Sequence, residues 1–128
     1  EEWELFSAKQ PITSKSLMKT KKLLSDQELE IAINKIILPS FELIEDKWKT
    51  IETIDGPIHL VDIKFELGFK VSDNSLVLSD VVDNDSWRIW PGGDPTKQLD
   101  KQSFREGEDL VNVANKYQLV TQLTDQFN

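Results

Sequence analysis

The sequence contains no cysteine and a single histidine, His59, and these two scarcities exclude more chemistry than any motif does. Without thiols there is no disulfide, no thiolate nucleophile and no cysteine-based metal site. One histidine cannot build a histidine metal centre, and no Ser-His-Asp set can be assembled around it; His59 is read as a strand-packing or surface residue. Basic residues are outnumbered, 15 Lys and Arg against 23 Asp and Glu, for a formal net charge of -8. That field repels phosphate backbones, so no nucleic acid partner is expected. A small anion can still bind where a few local cations and a metal ion overcome the background. No apolar run approaches the roughly 20 residues that cross a bilayer, and no charged-then-apolar leader opens the chain. No membrane partner is therefore expected, and the location read from the sequence is cytoplasmic. The only glycine-rich stretch, Pro91-Gly92-Gly93-Asp94, has neither the spacing nor the strand-to-helix setting of a phosphate-binding loop.

What is present points to one folded domain. The chain has 128 residues, with four Trp and six Phe, enough large apolar side chains to build a core. It begins Glu1-Glu2-Trp3, without an initiator Met, and reads as a piece of a longer protein. Residues 1 to 24 carry scattered apolars interrupted by Pro11, and are expected to form a loop-rich entry with a short helical turn. Trp3 and Phe6 pack either on the domain's own core or on an element outside this chain. The Lys15 to Lys22 patch reads as a solvated face or a binding surface.

Ser25-Asp26-Gln27-Glu28 has the form of a capping box and predicts a helix start. Leu29, Ile33, Ile36 or Ile37, Phe41, Ile44 and Trp48 follow at three- to four-residue steps, the spacing of one buried helix face. Pro39 falls inside that pattern and should kink the helix or split it in two. Asp55-Gly56-Pro57 is a turn signal that leads into a strand over Ile58 to Phe69.

Within that strand, Leu60-Val61-Asp62-Ile63-Lys64-Phe65-Glu66-Leu67-Gly68 alternates. Val61, Ile63, Phe65 and Leu67 form an apolar row; Asp62, Lys64 and Glu66 form the opposite one. Acidic residues fit a pleated surface poorly, so the polar row is either a functional face or a set of cross-strand ion pairs. Ser72-Asp73-Asn74-Ser75 reads as a hairpin turn, with a return strand over Leu76 to Val82. A loop with an odd number of residues sets Glu66 across from Asp80 and an even loop does not; the odd loop is expected. Side by side, these carboxylates repel unless a cation lies between them, and their hard oxygens suit Mg²⁺ with substrate phosphates completing its shell.

Asp83 to Pro95 is rich in turn residues and reads as a loop that holds Trp87, Arg88 and Trp90. Arg88 beside Ser86 is either a phosphate clamp or a guanidinium stacked on Trp87 or Trp90. After Asp100-Lys101-Gln102-Ser103-Phe104-Arg105, a closing helix is expected from about Asp109. Its stripe of Leu110, Val113, Ala114, Tyr117, Val120 or Thr121, Leu123 and Phe127 should cover the apolar face of the hairpin. The sum is an α+β fold, a small antiparallel sheet with a central hairpin, backed by helices on one side.

Three segments, Leu60 to Gly68, Leu78-Ser79-Asp80-Val81-Val82-Asp83-Asn84-Asp85-Ser86-Trp87-Arg88-Ile89-Trp90, and Asp100 to Arg105, carry a resemblance. In this order and spacing they resemble the SAICAR synthetases, most nearly the animal type that is fused to an aminoimidazole ribonucleotide carboxylase. The resemblance is close from Leu60 to Arg105 and looser over the flanking helices, and Leu67 stands where the family usually has Phe or Ile. It covers the carboxy-terminal lobe; the family's amino-terminal lobe, with a Gly-Lys-Thr-Lys-like nucleotide-binding region, has no counterpart in residues 1–128.

The resemblance implies an ATP-dependent ligase of purine biosynthesis. Such enzymes join L-aspartate to the carboxylate of carboxyaminoimidazole ribonucleotide (CAIR) through an acyl phosphate, with Mg²⁺. It implies Glu66 and Asp80 as metal ligands, and Lys64 as the cation that neutralises shifting phosphate charge. Asp62 would hold the imidazole or a metal-bound water. Ser86 and Arg88 would form the clamp on the ribonucleotide phosphate, with Asp100 and Lys101 near the substrate. The implied partners are CAIR, L-aspartate and ATP, an amino-terminal lobe, a carboxylase domain and further copies of the parent enzyme in a homo-oligomer. The alternative is a non-catalytic nucleotide-binding or protein-interaction domain of the same fold, suggested by the missing lobe and by two Trp that look exposed.

Overall fold

A computed structural model describes residues 4–7, 10–14 and 24–127. β1 (Glu4–Ser7) and β2 (Gln10–Ser14) pair antiparallel, in a segment where a loop with a helical turn was expected. Trp3 and the Lys15 to Lys22 patch lie outside the described residues.

The expected helix starts as its sequence dictates. Ser25 caps α1 (Asp26–Ile31), accepting the Glu28 N–H at 3.2 Å while Glu28 Oε2 accepts the Ser25 N–H at 2.6 Å. Pro39 does not split the run. Helical backbone continues through a π-helical stretch, Ala32–Ile37, into α2 (Leu38–Lys49). The Leu38 N–H reaches the Ile33 carbonyl, five residues back, so the hydrogen bonding is already offset when the chain meets a residue with no N–H to give. Trp48, fully buried, anchors the end of α2.

β3 (Glu52–Thr53) turns into β4 (Gly56–Ile63), and β4 pairs antiparallel with β7 (Trp87–Pro91), giving a three-stranded sheet ordered β3-β4-β7. β5 (Leu67–Phe69) and β6 (Leu76–Leu78) form a separate two-stranded hairpin. After a short 3₁₀ turn, Pro95–Lys97, α3 (Gln102–Arg105) and α4 (Leu110–Thr124) complete the fold. The α+β class holds, with small antiparallel sheets and helices.

Two expectations change. The strand predicted over 58–69 breaks at Lys64–Glu66, so the central pairing is β4 with β7 and not one long hairpin. The loop read at Trp87–Pro91 is a core strand: Trp87, Ile89 and Pro91 point inward and are buried, Arg88 points outward. Trp48, Ile51, Ile58, Leu60, Trp87, Ile89, Leu99, Val120 and Leu123 form one core. Trp48 meets Trp87 and Phe127 edge-on, at centroid distances of 5.4 and 4.7 Å. Helix α4 therefore covers β4 and β7 through Val120 and Leu123, while Leu110, Ala114 and Thr121 of its expected stripe are exposed. Trp87 is 6% exposed, so it is not the surface tryptophan that the interaction-domain reading requires; Trp90 is partly buried.

The register of β4 positions the site. Leu60 faces Ile89, but Asp62 faces Arg88 and Ile63 faces Trp87, a one-residue shift that leaves Val61 as the surplus residue of a bulge. Ile58, Leu60 and Ile63 therefore share the core face. Asp62 lies on the outer face, directly opposite Arg88.

Candidate functional site

The outer face of β4 and β7 is polar because the core takes the inner one. Asp62 and Arg88 form a two-pronged ion pair: Arg88 Nε donates to the Asp62 carboxylate at 2.9 and 3.0 Å, and Nη2 donates to Oδ2. This pairing holds the Arg88 pKa still higher than usual, the hydrogen bond to Asp62 first, and the carboxylate's charge adding to it against the opposing effect of burial. Neither stacking partner weighed for Arg88 is needed to place it. One step along, the Lys64 N–H donates to the Ser86 carbonyl at 2.7 Å, which extends the ladder and brings Ser86 beside Lys64. The Lys64 ammonium donates to Glu66, and this bond, then the charges of Glu66, Asp80 and Asp83, lifts its pKa. Ser86 Oγ accepts the Asp83 N–H at 3.2 Å and so ties the loop that enters β7.

Asp62, Lys64, Ser86, Arg88, Lys101 and Arg105 line one open groove of about 440 Å³. Five of the eight residues singled out in the sequence thus come together. Arg105 was not among them, although it follows Lys101 by four residues, one helical turn. Lys101 reaches the groove from α3's start and donates to the Asp85 carbonyl. A larger opening of about 660 Å³, between Ile44, Trp87, Tyr117 and Phe127, carries Asp83 and Asp85 but no Lys or Arg. Its charge is wrong for a phosphate; a third opening of about 690 Å³ shares Arg88 and holds Lys116, but Glu106 and Glu108 offset these charges and Lys116 is paired with Glu108, so the basic groove is the candidate site.

The remaining three expected residues sit differently. Residues 70–75 between β5 and β6 make an even loop, and the register Leu67↔Leu78 sets Glu66 against Ser79, whose N–H donates to the Glu66 carbonyl at 3.0 Å. The expected pairing of Glu66 across from Asp80 is therefore not formed. Asp80 comes one position later, with its carboxylate capping the Val81 N–H at 2.9 Å, and the two acids meet only in the field at Lys64. Among the described residues no group of three or more His, Cys, Asp or Glu side chains stands ready to hold a metal. Asp100 is fully buried; its carboxylate accepts the Ile89 N–H at 3.0 Å and the Gln102 N–H at 2.9 Å. It is not among the residues that line the groove, and it fastens β7 to α3.

Further supports come from residues outside those eight. Asn84, buried, donates to the Leu99 carbonyl at 3.1 Å and accepts from Trp87 Nε1 at 2.9 Å. Tyr117 of α4 donates to Asp85 at 2.9 Å, and burial, then the Asp85 contact, pushes its pKa up to about 12. Lys116 donates to Glu108 at 2.6 Å and to Ser103 at 2.9 Å, joining α4 to α3.

Among the described residues no helix is long and apolar enough to cross a membrane. The profile of the family described as SAICAR synthetase matches residues 7–123. The chain is 42% identical over 92 residues to a phosphoribosylaminoimidazole-succinocarboxamide synthase of Herpetosiphon aurantiacus, covering 68% of this chain and 35% of that protein. It is 47% identical over 71 residues to the mouse bifunctional phosphoribosylaminoimidazole carboxylase/succinocarboxamide synthetase, covering 56% of this chain and 16% of that one. Among solved structures, the phosphoribosylaminoimidazole-succinocarboxamide synthase of Ehrlichia chaffeensis superposes with a TM-score of 0.74 at 28% identity, over 92% of this chain and 47% of its own. A SAICAR synthetase in complex with ADP gives 0.71 at 26%, over 90% and 45%. The chain thus spans about a third of the bacterial relative and about half of the solved chains. With the profile covering residues 7–123 of its 128, this chain belongs to the SAICAR synthetase family.

Proposed function

We propose that this chain supplies the ribonucleotide-binding and metal-binding half of a ligase site that joins L-aspartate to the carboxylate of CAIR with ATP, in purine biosynthesis. The observation that carries the reading is the convergence of Lys64, Ser86, Arg88, Lys101 and Arg105 on one groove, in a chain whose net charge is -8. So local a concentration of cations and donors suits a phosphorylated substrate.

In this reading Arg88 and Ser86 clamp the ribonucleotide phosphate, Lys101 adds charge from the far wall, and Asp62 accepts from the imidazole side. The γ-phosphoryl group of ATP passes to the CAIR carboxylate as ADP leaves; the aspartate amine then displaces phosphate from the acyl phosphate and forms the amide. Lys64 offsets the negative charge that shifts during both displacements. Glu66, in contact with that lysine, and Asp80, acting on it through its charge, offer hard carboxylate oxygens of the kind that Mg²⁺ takes, one or two along with substrate phosphates. When bound, the ion would supply charge neutralisation at the phosphates. Asp100 serves by position, as the buried link between β7 and α3. The nucleotide-binding lobe, a carboxylase domain and assembly into a cytoplasmic homo-oligomer belong to the parent enzyme in the same proposal.

The test has two arms. In the intact enzyme, Glu66→Ala or Asp80→Ala should abolish turnover; near-normal turnover in both would remove the metal assignment. In this chain, titration with CAIR followed by tryptophan fluorescence should show binding that Mg²⁺-ATP strengthens and Arg88→Ala weakens. Equal binding by Arg88→Ala would refute the phosphate clamp.

A further inference from the structure

We propose that Asp62 is a specificity-determining residue: it competes with the ligand's phosphate for Arg88, so that tight capture requires a ligand which also gives Asp62 a new donor. The inference rests on the ribonucleotide reading above and adds a condition to it. The bulge at Val61 sets Asp62 directly across from Arg88, and the carboxylate takes both Nε and Nη2. Those are the fork donors that a phosphate needs for two-pronged recognition. The two side chains are 51% and 45% exposed, so an exchange of partners needs no opening of the fold. Among the described residues Asp62 has no partner besides Arg88.

A phosphate entering the groove therefore meets an Arg88 that is already neutralised. Capture leaves Asp62 without its one described partner beside the bound anion, with Lys64 already committed to Glu66 and Lys101 to the Asp85 carbonyl. Inorganic phosphate brings nothing to offset this. A ribonucleotide whose base carries an amino group brings a hydrogen-bond donor on the same molecule, so phosphate and base are recognised together or weakly.

The experiment compares the full chain with its Asp62→Asn variant, near in shape and exposed, each titrated with inorganic phosphate and with CAIR while the Arg88 Nε–H resonance is followed. The variant should bind inorganic phosphate more tightly, by up to about fivefold, the scale of an exposed ion pair, and its preference for CAIR over inorganic phosphate should fall about tenfold or more. In the unaltered chain, phosphate should move the Arg88 resonance toward its position in Asp62→Asn. Unchanged or weaker phosphate binding by the variant, with CAIR still bound by the unaltered chain, would overturn the competition and leave the ribonucleotide reading standing. Tighter phosphate binding without movement of the Arg88 resonance would assign the gain to general charge and also overturn it. Binding of neither probe to either protein would overturn both readings.

Discussion

Asp100→Ala is the sharpest test of how the groove is held together. Asp100 and Ile89 are both fully buried, and the carboxylate serves two main-chain donors, Ile89 N–H at 3.0 Å and Gln102 N–H at 2.9 Å. Hydrogen bonds to a charged group contribute about 1.5–3 kcal/mol each, and a buried donor left without an acceptor costs on the order of 1–3 kcal/mol. Removing the carboxylate should then cost about 3–5 kcal/mol, a large share of the roughly 5–15 kcal/mol that stabilises a domain. Asp100→Asn keeps one acceptor and turns an amide –NH₂ toward the second N–H, so about half of that loss is expected. Urea unfolding followed by the fluorescence of the buried Trp48 and Trp87 measures both variants. The amide exchange of Ile89 should accelerate in each before the rest of β7. A loss below about 1 kcal/mol for Asp100→Ala would refute the reasoning, because water or a backbone shift would then replace the carboxylate at little cost.

Two further outcomes follow from single contacts. A methyl group on Gly92 would lie 2.1 Å from the Asp55 carbonyl oxygen, at φ +59°, whereas one on Gly107, at φ +83°, meets nothing within 4 Å. Gly92→Ala should therefore lose more than about 2 kcal/mol in thermal or urea unfolding, and Gly107→Ala only about 1 kcal/mol, its backbone strain alone. Tyr117 is the single tyrosine, and its folded pKa is raised to about 12 by burial and then by Asp85. A raised folded value means that its contribution to stability is complete below the unfolded pKa near 10 and is lost as pH rises toward 12. Ultraviolet difference titration should give a midpoint near 12 in buffer and near 10 in urea, and Tyr117→Phe should flatten the stability loss in that window; a folded midpoint near 10 would refute both the burial of the hydroxyl and its Asp85 contact.

Much of this architecture is legible in the residues. The capping box at Ser25, the closing helix capped by Asp109 and the α+β class follow from local chemistry, and local chemistry is what a sequence displays best. The gathering of Asp62, Lys64, Ser86 and Arg88 follows from strand alternation together with the family resemblance. What is hidden depends on pairing. Trp87–Pro91 alternates in and out over five residues, too few to stand out between Asp83-Asn84-Asp85 and Gly92-Gly93, so turn residues on both sides mask a core strand. The even loop that separates Glu66 from Asp80 depends on one residue of length, because a single-residue change in register reverses the facing of every side chain. The resemblance sets Asp100 near the substrate, and acids seldom lie fully buried; its supporting role appears only when the Ile89 and Gln102 amides arrive beside it.

The surplus residue in β4 has a consequence for how this strand tolerates change. Before Val61, even-numbered positions 58 and 60 are constrained by the core; after it, the core constraint passes to odd-numbered 63. A scan of substitutions along 58–63 should show its pattern of sensitivity slip by one position at the bulge. The two halves of the strand are thereby uncoupled. Apolar residues ahead of Val61 can be exchanged to suit the interior without touching Asp62 and Lys64, and the polar row can vary without disturbing the packing of Ile58 and Leu60. A lineage carrying this fold could alter its chemistry and its core on separate schedules within a single strand.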